Sequence, residues 1–273
     1  MKIRHFIQAF GQRKGGYVLF ASLFGKLVNF VVAIIVIRLL SKTTYGLIAY
    51  AFTIVSFIVP FMGAGIQQSL LRFGALCQGQ NEKKLFFRFA LRRGLSYSAL
   101  LLLCLLILTP FITSNLPDAA IYLAILGGQL IGLLVLQLVE IYCRLLHLNK
   151  LFSKIEIINS LSLLISNTLA CWLFGGLGYV VSLVSIPLLV GGYFLYRLGL
   201  HDYRGLSMRP TFDAHQLIRY GLYMSLGGVL SQLLYAVDIL IIGNVLQAPD
   251  LLAQYKASSI IPFNLLILPV AMM

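Results

Sequence analysis

The sequence predicts an all-α fold, a polytopic membrane helix bundle of about eight transmembrane helices with its N-terminus in the cytoplasm. Three observations carry this. Of 273 residues, 60% are hydrophobic and 11% charged, with a mean hydropathy of +0.93, beyond the usual range of water-soluble domains. Apolar runs of about 18 residues or more, enough to cross a hydrocarbon core of about 30 Å, recur along the chain. Basic residues fall almost entirely between alternate runs. Backbone in lipid must satisfy its own hydrogen bonds, and runs this long do so as helices; barrel strands would be about ten alternating residues each.

The spans lie near 17–40, 44–66, 95–113, 119–143, 157–175, 178–198, 221–245 and 252–273. The first is a retained helix: it is long for the apolar region of a signal peptide, lacks a small-x-small cleavage site, and leads straight into a second span. Its end and the next start share the polar stretch RLLSKTTYGLIAY, Arg38 to Tyr50, which reads as a tight hairpin. SNLPD, Ser114 to Asp118, and QAPD, Gln247 to Asp250, are equally short turns on the same side. Connections on the other side are longer and basic, none large enough for a soluble domain. Pro60, Pro110, Pro187, Pro262 and Pro269 fall within or near span ends, where freed carbonyls permit kinks. Gly128 and Gly132 form a GxxxG that reads as close helix packing. The eighth span stops at AMM without a basic flank, so the chain reads as truncated at its C-terminus. The predicted organisation is a six-helix lobe over 1–219 and the start of a second lobe, helices seven and eight, over 220–273.

Net charge is +13. One set of connections collects 17 of the 21 Lys and Arg residues, which the positive-inside rule reads as topology and which makes a nucleic-acid partner unnecessary. Cys77, Cys104, Cys143 and Cys171 are too widely spaced for a CxxC motif and read as packing thiols. His5, His147, His201 and His215 are scattered, so no metal site or cofactor is predicted. GGLGYV at 175–180 follows no strand and is no dinucleotide loop; GAGIQQ at 63–68 lacks the P-loop lysine. With no Ser/His/Asp set and no carboxylate pair placed for acid–base work, the chain does not read as an enzyme.

An internal echo runs at an offset of 206: KLVNFVVAIIVIRLL from Lys26 lies over QLLYAVDILIIGNVL from Gln232, and Arg38 falls on Asn244. Both copies then turn tightly into a tyrosine-bearing span, in the manner of parallel transporter repeats. The stretch Gly25 to Ala75, with its Arg-Leu-Leu helix end, the Tyr45-Gly46 turn and the exit from Gly65 to Phe73, resembles the start of polysaccharide flippases. Residues 220–257 resemble the seventh helix of that family and the turn after it, although Ala253-Gln254-Tyr255 stands where Gly-x-Tyr is usual. The resemblance implies a flippase for an undecaprenyl-diphosphate-linked oligosaccharide of the O-antigen, capsule or exopolysaccharide type, in a superfamily that also holds multidrug antiporters. It implies alternating access between two lobes in the inner membrane, with membrane lipids and a polysaccharide polymerase complex as partners.

Such a carrier needs a hydrophilic slot and cations for a diphosphate. Lys26 lies nine residues past Tyr17, about 13 Å into the bilayer, where an ionised group costs about 2.5–3.5 kcal/mol. It and Arg38 are the predicted substrate-binding cations, with snorkelling to the headgroups as the plainer alternative for each. Gln67, Gln129, Gln137, Gln232 and Asn244 are the amides predicted to meet the glycan, and Gln68, Asn159 and Asn167 could join them; several could instead only bridge helices. Asp238, 17 residues past Gly221, is read as a coupling site or as counter-ion to Lys26 or Arg38. Glu140 is four residues before Arg144 on one helix face, as coupling group or local ion pair. Two other readings stay open: a cation-coupled multidrug-type antiporter, and a membrane assembly subunit that transports nothing.

Overall fold

The computed structural model describes residues 15–77, 79–200 and 214–265. Among these the chain is helical, without a strand: α1 (Gly15–Leu39), α2 (Lys42–Ile58), α3 (Ile66–Gly74), α4 (Gln80–Ile112), α5 (Ala120–Gly127), α6 (Gln129–Leu145), α7 (Asn149–Arg197), α8 (Ala214–Ile241) and α9 (Pro249–Leu265). Several residues used in the charge count, Lys2, Arg4, Arg13, Lys14, Arg204 and Arg209, lie outside the described residues, as do His5, His201 and Pro269.

α1 buries Ala21, Gly25, Val28, Val32 and Val36, spaced three and four apart, so one stripe faces the protein and the rest faces outward. The stripe lies on the first half of α7, where a Cβ on Gly25 would sit 3.0 Å from Ser160 Oγ. Ser41 then caps α2: its backbone is extended and its Oγ accepts the Thr44 N–H at 3.2 Å. α2 is the central element, buried at Gly46–Ala51 and Thr53–Val55. A 3₁₀ segment, Val59–Gly65, breaks it from α3, with Pro60 in its first turn and positive φ at Gly63, Ala64 and Gly65 (58°, 55° and 69°).

In α4, Leu100, Leu103, Leu106, Ile107 and Phe111 are exposed while Phe86, Phe87, Ala90 and Gly94 are buried, the pattern of a helix with one face toward lipid. The predicted fourth span is α5 and α6, interrupted at Gly128. The GxxxG there does pack closely: a Cβ on Gly128 would meet Val184 Cγ1 at 2.8 Å, and one on Gly132 the Val184 carbonyl oxygen at 2.9 Å.

The 49 residues of α7 are two antiparallel helices, 149–174 and 176–197, joined at Gly175, whose φ of 60° and ψ of −139° are not helical. Ser182 Oγ bonds Asn167 Oδ1, a contact between residues 15 apart that only a fold-back permits. Helical segments therefore cover both predicted stretches, 157–175 and 178–198. Five helices among the described residues are long and apolar enough to cross a membrane, and α8 with its π-helical extension Ile242–Leu246 makes a sixth, bent by 70°. With α7 counted as two, predicted spans one to seven each have their helix, and α9 begins the eighth.

The turns sort to two ends. At one, Lys83 Nζ donates to the Leu145 carbonyl at 2.9 Å and the Lys150 ammonium lies 5.7 Å from the Tyr17 ring centre; this is the basic end. At the opposite end the three short turns meet. The broken segment tolerates little added bulk. Gly65→Ala places a Cβ 2.2 Å from the Gly221 carbonyl oxygen and forces alanine into a left-handed backbone. We expect it to destabilise the purified protein by about 1–3 kcal/mol or more in denaturant titration.

Candidate functional site

The first polar region is the seam where α8 and α9 pack on the α2–α3 helix. A helix broken inside a bilayer leaves backbone groups without partners, and neighbouring helices must supply them. Here Gly63 N–H donates to Ser98 Oγ of α4 at 2.9 Å, and the Pro60 carbonyl accepts from Ser225 Oγ of α8 at 2.6 Å. Ser69 Oγ donates to the Leu217 carbonyl at 2.6 Å, nearer the basic end. Glycines let the backbones touch: Cβ atoms on Gly46 and Gly221 would fall 1.8 Å from the Pro249 carbonyl oxygen and 2.5 Å from that of Ala64. At the opposite end the seam closes with side chains. Thr43 Oγ1 donates to Asp250 Oδ1 at 2.9 Å, Tyr50 OH to Asn244 Oδ1 at 2.9 Å, and Asn115 Nδ2 to the Asn244 carbonyl at 3.3 Å. This lock joins the two copies of the short turn that the echo aligns.

The second region lies toward the basic end, between α1, α6 and the first half of α7. Glu156 accepts from Ser22 Oγ at 3.3 Å and lies within the fields of Lys26 and Arg144; Glu140 lies within those of Glu156 and Arg144. Two carboxylates and two cations thus share one layer. The Arg144 guanidinium stacks over the Phe152 ring, 4.3 Å from its centre, and its charge serves both carboxylates rather than Glu140 alone. Asn159, three residues beyond Glu156 on α7, has a buried Oδ1 with no hydrogen-bond partner.

The predicted site residues divide between these regions and the surface. Lys26 is half-buried in the charged layer with Glu140. Asn244 is in the lock. Gln67 is buried at the start of α3, its Oε1 without a partner, and Gln129 is buried at the first position of α6. Gln137 and Gln232 are half-buried on α6 and α8, while Arg38 is exposed in the last turn of α1. Asp238 is exposed and its carboxylate accepts from Tyr255 OH of α9. Asn167 bridges the two halves of α7.

Two participants are not among the sequence-derived candidates. Glu156 lies just outside a fifth span that begins at 157, whereas the helix starts two turns earlier at Asn149. Tyr50 sits in an apolar stretch where nothing in the sequence marks its hydroxyl for Asn244.

A multi-pass helical membrane protein with charged and amide groups held between packed helices is the class that fold and site define. The chain belongs to the polysaccharide biosynthesis protein family, whose model matches residues 12–264. No curated protein matches it significantly. One solved structure, designated protein A, shares its fold at a TM-score of 0.65 and 14% identity, over 92% of this chain and 60% of that one. The chain thus spans about 60% of the length of that structure.

The charged layer makes a thermodynamic prediction. Lys26→Met and Glu156→Gln each leave a charge short of a partner, so the two should be non-additive by about 0.5–3 kcal/mol in a double-mutant cycle on detergent-solubilised protein. Additive effects would mean that the two groups do not interact.

Proposed function

We propose that this protein is a flippase that carries an undecaprenyl-diphosphate-linked oligosaccharide from the cytoplasmic to the periplasmic leaflet of the inner membrane by alternating access, and that it makes or breaks no covalent bond. The observation that carries the reading is the lock: the two copies of the short turn are bonded across the seam at one end through Thr43, Asp250, Tyr50, Asn244 and Asn115. With the basic end in the cytoplasm, as the positive-inside rule requires, that lock closes the periplasmic exit. Family membership supports a role in polysaccharide synthesis or export. Lys26 and Arg38 are the proposed partners of the diphosphate. Gln67, Gln129, Gln137, Gln232 and Asn244 are the proposed partners of the glycan, and Asp238 or Glu140 the counter-charge.

The chemistry suits the task. Moving a glycan needs hydrogen bonds that replace water, and moving its diphosphate needs cations held where hydrocarbon would otherwise lie. An exposed Arg38 at the opposite end and a half-buried Lys26 nearer the basic end offer positive charge at two depths of the same helix.

One observation favours a second reading, a cation-coupled antiporter. Glu140 lies within the field of Glu156, and an exchanger needs such carboxylates. Drug susceptibility measured beside glycan display separates the two.

In a flippase-null strain complemented with the gene's full reading frame, Lys26→Ala should lower surface glycan at least tenfold while membrane insertion is unchanged. Normal display would remove Lys26 from the mechanism. In the same strain Thr43→Cys with Asp250→Cys, bridged by a short thiol crosslinker, should stop display, and a cleavable linker should restore it on reduction. Display unaffected by crosslinking would show that the lock does not open during transport.

A further inference from the structure

A crevice of about 630 Å³ lies between α2, the far end of α4 and α8, within the size range of sites for small ligands, about 300–1,000 Å³. Its character changes along its length. Toward mid-membrane its walls are Ile54, Phe57 and Ile58 of α2 and Leu240 of α8, with Phe111 of α4 beside them. At the end away from the basic side it is capped by Tyr50, Asn115 and Asn244, the amide and phenol members of the lock. Among the described residues, no charged one lines it. A cleft that is apolar at depth and neutral but polar at headgroup level matches an amphiphile lying along the membrane normal, chain inward and head outward.

The geometry points to this crevice as the seat of the isoprenoid tail of the lipid-linked substrate at the exit stage, an inference that rests on the flippase reading. Two arguments favour this occupant over bulk phospholipid. The crevice is continuous with the lock, so a head group emerging through the seam places its own tail at the mouth, at an effective concentration that a free lipid does not share. The absence of Lys or Arg along the walls also offers nothing to a phospholipid phosphate drawn in beside its chain, whereas a tethered substrate has its diphosphate in the seam and brings only hydrocarbon. Opening the lock would free Asn115 and Asn244 from each other, uncapping the crevice as the exit opens.

The test uses the full reading frame in vesicles of phosphatidylethanolamine and phosphatidylglycerol, with a polyprenyl monophosphate bearing a diazirine in its tail as the photoprobe. Labelling of the peptides that carry Phe57, Phe111 and Leu240 should saturate. Unlabelled polyprenyl phosphate should compete with it, and raising the phosphatidylglycerol fraction of the vesicles at constant probe should not. Leu240→Trp, which fills the crevice, should reduce that labelling at least fivefold and leave labelling at the outward-facing Leu103 and Phe174 unchanged. Phe57→Trp serves as an independent filling variant, and both are checked by their melting temperature. Labelling that rises linearly with probe, spreads evenly over exposed residues, or yields to phosphatidylglycerol would make the crevice ordinary lipid-facing surface and overturn the inference. That result beside normal glycan display would leave the flippase reading standing; saturable labelling in a protein that cannot restore display would instead sink the flippase reading.

Discussion

The bilayer cannot hydrogen-bond to a broken helix, and this constraint organises the molecule. α2 and α3 are parted by a segment with three successive residues of positive φ. The segment survives in a helix of this polarity because Ser98 on α4 receives Gly63 N–H and Ser225 on α8 donates to the Pro60 carbonyl. Those two bonds fix where the third and seventh spans must run. The glycines at 65 and 221 then bring backbones so close that no side chain fits between them. From this contact α8 and its π-helical extension run beside α2 and α3, reaching Ser69 through Leu217 near one end and Tyr50 through Asn244 near the other. The chain from 214 onward is thereby held on a fixed line of the helices before it.

The charged layer follows a different rule. A lone lysine at this depth is expensive, and the nearby Glu156 carboxylate makes it tolerable, while Arg144 answers both carboxylates. None of the four is isolated, so changing one alters the electrostatic setting of the rest. The layer is also the place where a diphosphate-binding function and a cation-exchanging function would look alike, since each needs Lys26 to choose between carboxylate and something else.

The spans were readable because their signal is length and apolarity, which lipid imposes directly. Even the fold-back at Gly175 was placed to within a few residues, since a glycine between two complete spans leaves little choice. The contacts were less readable. Pro60 announced a kink, but the left-handed run at 63–65 depends on Ser98 and Ser225, which are 35 and 160 or more residues away along the chain. The repeat paired Arg38 with Asn244 by offset, whereas the side chains that meet Asn244 are Tyr50 and Asn115. An offset finds equivalent positions, and equivalent positions related by pseudo-symmetry need not touch. Asp238 reads from the sequence as a coupling site or as counter-ion to Lys26 or Arg38; in the fold its carboxylate accepts a hydrogen bond from Tyr255, 17 residues on.

The approach of Gly46 to the Pro249 carbonyl, where a methyl group would fall 1.8 Å away, binds two turns that lie about 200 residues apart in the chain. Turns so distant ordinarily change independently, each answering to its own surroundings. Here one turn's backbone is a wall of the other's, so neither can gain bulk alone. A substitution in the first copy is admissible only with an answering shift in the second, and this pair of positions should vary together or not at all.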